Sequence, residues 1–330
     1  MTKVFVTGAS GFIAKHILRE LFEHGYEVRA SIRSDRRKAE IEALFPGKTI
    51  EFAYLDLEKD AGWDEAMQGC DVLIHTASPF PMADPKDPQD LIRPAVEGTL
   101  RAMKAAKAAG IKRVILTSSN AAIYKEKGKP IDAPSDETNW TDPEGPATSA
   151  YEASKTLAEQ AAWDFVRENK DMSLTTINPG AVFGPAMDAK YGTSLALVER
   201  AMKGQDPMAP PMELPMVDVR DVAMLHVAAI NLDAAKGERF PATSETLTFQ
   251  VMNQLLREID PTLKAPTKIA PVWLLRVFSL FMPEVKGVLQ NIGRSLTVSG
   301  AKAESVFGFT WIPVKDSLAA SVESIRSFTT

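Results

Sequence analysis

The sequence predicts an α/β protein built on a doubly wound parallel sheet, with a smaller lobe toward the C-terminus. Three observations carry that expectation. Short β-rich runs alternate with helical patterns over the first 178 residues, which is the grammar of a parallel sheet covered by helices on both faces. The first strand runs straight into a glycine turn and a helix, Thr7-Gly8-Ala9-Ser10-Gly11-Phe12-Ile13-Ala14. Beyond about residue 179 the alternation loosens and prolines cluster between 206 and 215. Residues 1–178 are therefore expected to form the sheet domain, and 179–330 mainly a second lobe with some segments returning to the sheet.

Val4-Phe5-Val6 opens the sheet, followed by an apolar helix over about 11–24, a strand at 28–32, a charged helix from about 36 and a strand at 50–55. Next come Val72-Leu73-Ile74, a long helix over about 90–109 stopped by Gly110, Val114-Ile115-Leu116, a helix over about 148–169 and a strand at 174–177; a glycine just past a helix is a common C-terminal stop. Later helices are expected near 219–236, 248–259 and 272–282, without strands of comparable strength. In the last of these, Trp273, Leu274, Val277, Phe278 and Phe281 recur on one side, while Arg276 and Ser279 fall nearer the other. Its flanks carry few basic residues to draw it to anionic lipid, so its apolar face is expected to pack into the second lobe's own core.

At 330 residues, 45% of them hydrophobic and 25% charged, the chain can bury a large core. A formal net charge of -5 gives no global basic field and argues against nucleic acid as a partner. The single cysteine, Cys70, precludes an internal disulfide and reads as a small core residue in a reducing compartment. A strand starting at Lys3 leaves no room for a signal peptide ahead of it, and the longest apolar stretch, 269–282, is too short for a bilayer and contains Pro271 and Arg276. A cytoplasmic protein with no membrane partner, monomeric or homodimeric, is expected. His16, His24, His75 and His226 share no ligand spacing, so no metal is expected; each histidine should sit on the surface or in a satisfied strand end.

The glycine turn has the order a dinucleotide site needs. Gly8 permits the turn, Gly11 lets the backbone approach a pyrophosphate at the helix N-terminus, and Ala14 lets helix and strand pack closely. The alternative is a purely structural turn, since the spacing G-x-x-G-x-x-A departs from G-x-G-x-x-G. At the end of the second strand an NAD site wants an acid for the ribose 2′-hydroxyl. Here stand Ser31-Ile32-Arg33-Ser34, with Arg36, Arg37 and Lys38 following. A guanidinium suits a 2′-phosphate, so Arg33 and Lys38 point to NADPH; Asp35 dissents, and the alternative makes it a helix N-cap beside a solvated basic cluster. Asp56-Leu57, after the third strand, would lie beside the adenine. Thr76-Ala77-Ser78 and Ser118-Ser119 end the fourth and fifth strands, at the carboxyl edge where such sheets bind ligands; a turn role is the alternative for Ser119.

Tyr151 and Lys155, four apart on the 148–169 helix, share one face. An ammonium beside a phenol stabilises the phenolate and brings the proton within reach of donation; the alternative is an amphipathic helix with a solvated lysine. Together with Asn178-Pro179-Gly180-Ala181-Val182-Phe183-Gly184-Pro185 and Val217-Asp218-Val219-Arg220-Asp221-Val222-Ala223, these motifs make the chain resemble the extended short-chain dehydrogenase/reductases. Within them it looks most like the dihydroflavonol reductase, cinnamoyl-CoA reductase and yeast-type aldehyde/ketone reductase group, over nearly its whole length.

That resemblance implies a Rossmann-type fold and reversible reduction of a ketone or aldehyde by hydride from NADPH. Tyr151 would protonate the carbonyl oxygen and Ser119, with Ser118 as the alternative, would orient it. Lys155 would lower the tyrosine pKa and hold the ribose. It also implies that residues 179–185, with Pro179, Gly180 and Val182, close over the nicotinamide, and that Asp218, Arg220 and Asp221 brace the two lobes. The stretches 80–88, 187–193 and 208–216, among them Phe80 and Pro81, are rich in Met, Pro and Phe and should line a pocket for an apolar or aromatic carbonyl compound. A sugar-nucleotide epimerase or dehydratase is the enzymatic alternative, and a non-catalytic NADP-sensing regulator the other.

Overall fold

The computed structural model describes residues 1–79 and 85–329, and shows a Rossmann-like fold. Phe80 and Pro81 lie outside them. The chain runs β1 (Lys3–Thr7), α1 (Phe12–Glu23), β2 (Glu27–Ile32), α2 (Asp35–Leu44), β3 (Ile50–Tyr54), α3 (Trp63–Met67), β4 (Val72–His75), α4 (Gln89–Ala108), β5 (Arg113–Thr117), α5 (Ala150–Glu168) and β6 (Ser173–Pro179). It continues through β7 (Ala181–Phe183), α6 (Thr193–Lys203), β8 (Glu213–Asp218), α7 (Val219–Ala228), β9 (Arg239–Ala242), β10 (Glu245–Thr248) and α8 (Phe249–Ile259). It ends with α9 (Val272–Phe278), α10 (Pro283–Asn291), α11 (Ala301–Phe307) and α12 (Val314–Thr329).

Seven strands form one parallel sheet in the order β3-β2-β1-β4-β5-β6-β9. Their runs are β-branched and apolar because both faces are covered. Val4, Val6, Ile17, Leu18 and Leu225 fill one face, under α1 and α7, and Phe5, Leu73, Met103, Leu116 and Leu174 fill the other, under α4 and α5. The order reverses at β1, between β2 and β4, and a crevice opens there beyond the carboxyl ends. Register brings the exits level, since Thr7 pairs with His75 and Thr117 with Ile177.

The second layer holds strands that the sequence pattern did not show. β7 runs parallel to β8 and β10 antiparallel to it. β7 spans only Ala181–Phe183, and β8 carries Pro215 in its interior, so neither presents a clean alternation. The lobe's core, around Phe183, Val198, Leu256 and Leu318, is closed by α6, α8 and α12. That overturns the reading of 272–282. α9 ends at Phe278 and has no buried residue, with Trp273 67% and Phe281 80% exposed. The place expected for its apolar face is already filled. Similarly α7 ends at Ala228, short of the expected 236. Cys70 is buried as expected, but His16 and His226 are buried inside helices, neither at the surface nor at a strand end.

Candidate active site

Gly8 leaves β1 at φ +66°, and a Cβ there would lie 3.0 Å from the Ala77 Cα, so both conformation and space call for glycine. Ser31 Oγ accepts its N–H at 3.0 Å. Gly11 is the N-cap of α1 without a side-chain cap, which leaves the first N–H groups of the helix for an anion in the crevice. Thr7 stands behind the turn. Its hydroxyl oxygen accepts from Thr76 N at 3.0 Å and Ala77 N at 3.1 Å, and meets His75 Nδ1 at 2.8 Å, tying β1 to β4.

At the end of β2, Arg33 is exposed and makes no ion pair with any described residue. Ser34, not Asp35, is the N-cap of α2; Asp35 is the first helical residue and accepts a hydrogen bond from the Tyr54 hydroxyl, so the dissenting acid is turned to β3. Glu40 gathers Arg37 at 2.8 Å, Arg36 at 3.3 Å and Lys190, and the contacts with Lys190 first and then Arg37 hold its carboxyl down to about 2. Lys38 lies 5.7 Å over the Phe52 ring. Asp56 and Leu57 follow β3 but do not reach the crevice wall; Leu57 packs against Gly98, where a Cβ would meet it at 3.1 Å. An uncluttered glycine turn and an unpaired guanidinium at the right strand end fit NADPH.

A crevice of about 530 Å³ brings together Gly8, Gly11, Phe12, Ile13, Thr76 and Ser78 with Ser119, Tyr151, Lys155, Pro179, Gly180 and Val182. Ser10, Ala77, Arg33 and Lys38 stand outside its wall. Ser119 does two things: it caps the turn at 120–122, accepting from Ala121 N at 3.1 Å, and its side chain hydrogen-bonds the Tyr151 phenol. Ser118 also borders the crevice, but its hydroxyl donates to Glu159 at 2.5 Å. The Lys155 ammonium lies 5.6 Å from the centre of the Tyr151 ring. Burial pushes Lys155 down to about 8. Burial pushes Tyr151 up to about 12, with the Ser119 hydrogen bond opposing and Glu152 reinforcing the rise. The lowered tyrosine pKa expected from Lys155 is not seen, because desolvation of the phenolate is the largest influence on Tyr151 and the ammonium over the ring is not among the groups that shift it.

Two buried networks hold this arrangement. Ser149 and Glu152 form a capping box at the start of α5, and Glu152 also pairs with Lys125 at 2.7 Å and accepts from Tyr124 at 3.0 Å. One turn past Lys155, Glu159 pairs with Arg239 of β9 at 2.7 Å. Farther out, the wall is Leu197, Met212, Leu214, Pro215 and Leu296, with Ser194, Tyr124 and Asn291. Thr193, Met212, Leu214 and Pro215 come from the expected stretches, whereas Met187 and Met208 do not reach the wall. Tyr124, Leu197, Asn291 and Leu296 carry no local signal in sequence, since only tertiary packing brings them here.

A model of the NAD dependent epimerase/dehydratase family matches residues 4–241. The chain is 36% identical to a cinnamoyl-CoA reductase of Medicago truncatula, over 98% of this chain and 95% of that protein. It is 31% identical to an NADPH-dependent methylglyoxal reductase of Saccharomyces cerevisiae, over 98% of each. Among solved structures, a yeast methylglyoxal/isovaleraldehyde reductase complexed with NADPH matches with a TM-score of 0.82 at 29% identity, over 99% of each chain.

Proposed function

The chain belongs to the NAD dependent epimerase/dehydratase family, the extended short-chain dehydrogenase/reductases, and from that premise we propose that it is an NADPH-dependent reductase of apolar or aromatic ketones and aldehydes. The observation that carries this reading is the meeting of Ser119, Tyr151 and Lys155 between a glycine turn and an apolar wall. Bound NADPH supplies the hydride. The N-terminus of α1 would hold its pyrophosphate, Arg33 its 2′-phosphate, Lys155 its ribose hydroxyls, and Pro179, Gly180 and Val182 would flank the nicotinamide. Ser119 holds the carbonyl oxygen beside Tyr151. With its pKa near 12, Tyr151 keeps its proton at neutral pH and gives it to the far more basic alkoxide oxygen forming next to it. Lys155, still largely charged at neutral pH, then stabilises the phenolate left behind.

Lys155 is the one cation among the described residues of the crevice. That supports an apolar substrate over a sugar nucleotide, whose pyrophosphate would need cations in the second lobe. The test is Tyr151→Phe. NADPH binding, followed by its fluorescence, should persist while reduction of an aryl ketone falls roughly 10²–10⁴-fold. Retention of more than a tenth of the turnover would remove Tyr151 from this role.

A further inference from the structure

Glu159 is 1% exposed, on the same helix as Tyr151 and Lys155 and one turn past the lysine. Its two oxygens accept from five side chains: Arg239 Nε at 2.7 Å, Ser118 Oγ at 2.5 Å, Asn178 Nδ2 at 2.7 Å, and Thr176 Oγ1 and Trp163 Nε1 at 3.2 Å each. A carboxylate offers about four lone-pair positions, so this one is saturated. Two of the five donors lead to one place. Ser118 is the chain neighbour of Ser119, and Asn178 Nδ2 also reaches the Ser119 carbonyl at 3.3 Å. The carboxylate thus grips, from both sides, the residue whose side chain hydrogen-bonds Tyr151.

We propose that Glu159 is a positioning residue, which locks the strand end bearing Ser119 to the helix bearing Tyr151 through Ser118 and Asn178, with Arg239 as its counter-ion. The inference rests on the catalytic reading of Ser119 given above. Its physical weight comes from geometry, since a hydroxyl displaced by about 1 Å from a reacting oxygen can cost on the order of 10²-fold in rate. Loss of a buried pair that only tied β9 to α5 would weaken folding and leave that geometry alone. The two roles are separable.

The experiment is a double-mutant cycle of Glu159→Gln with Ser119→Ala in the full chain, reading kcat, KM, NADPH affinity by fluorescence and melting temperature. In the wild-type background Glu159→Gln should lower kcat by at least about 10-fold, with KM and NADPH affinity changed less than about threefold. In the Ser119→Ala background the same substitution should change kcat by less than about twofold, because there is no hydroxyl left to misplace. Equal fold losses in both backgrounds would make Glu159 merely structural and overturn the proposal. Full turnover by Ser119→Ala alone would overturn the catalytic assignment, and this inference with it. Should Glu159→Gln show no cooperative melt, Ser118→Ala removes one arm, keeps the Arg239 pair, and is read in the same cycle.

Discussion

Of the four cations near the end of β2, Arg36 and Arg37 are held by Glu40, and Lys38 leans over Phe52. Arg33 is left facing solvent at the position where an NAD site would carry its acid. Arg33→Ala should therefore weaken NADPH by about 1.5–3 kcal/mol, the worth of a charged hydrogen bond, and leave NADH almost unchanged. Titration of both cofactors against both proteins checks this, and an equal loss for each would refute it. The arginine's exposed place at the end of β2 was legible because the strand before it fixes which residue follows. Glu40's role was not, since Lys190, which completes its cluster, is remote in sequence and reaches it only through the loop after β7.

Helix α5 shows how an element is fixed by its first turn. Ser149 and Glu152 cap it, and Lys125 faces the Glu152 carboxylate with both side chains 4% exposed. Lys125→Met should leave that carboxylate buried without its cation and cost roughly 3–5 kcal/mol, seen as a lower urea midpoint; an unchanged midpoint would show that Tyr124 and the cap suffice. Helix α9 and the turn just past it give the opposite expectation. Trp273→Ser and Phe281→Ser should each alter stability by no more than about 0.5 kcal/mol, because both side chains are mostly in solvent, and a clear fall in melting temperature would mean that the face is covered after all. Six strands of the main sheet and the helices α1, α2, α4 and α5 between them were legible from β-branched runs and helical period, whereas the five-residue α3 was too short to show one. α9 was misread because periodicity reports that a helix has an apolar face, whereas only the rest of the fold decides what covers it. β7, β8 and β10 escaped notice because they are short, interrupted by Pro215 or half-exposed, and made strands by partners distant in sequence.

Across the whole molecule, three histidines are buried without charge. Burial lowers His16 and His226 to about 4 and His75 to about 3. The unfolded chain would bind protons that the folded one refuses, so their stabilisation is complete above the ordinary histidine pKa of about 6.5 and is lost as pH falls toward 4 and 3. At pH 5 that amounts to roughly 2 kcal/mol for each histidine. Asp221, raised to about 6 by burial, works in the other direction, since the cost of its charge eases as pH falls. Urea unfolding at pH 7.5 and pH 5 should therefore show a net loss of several kcal/mol in acid, and His226→Gln should flatten the difference; stability that rose on acidification would contradict the assignment. The placement of β9 bears on how the chain is made. Its strand and the guanidinium that faces Glu159 lie on the same four residues, Arg239–Ala242, beside a β6 that ends at Pro179. During synthesis, the nucleotide turn and the Tyr151 helix leave the ribosome well before them. Over that interval β6 is an open edge, and Glu159 has yet to meet its cation. A nascent chain paused short of Arg239 would carry Ser119, Tyr151 and Lys155 and still be prone to pair with its neighbours on the polysome, so a closed sheet waits on a strand that lies outside the crevice wall.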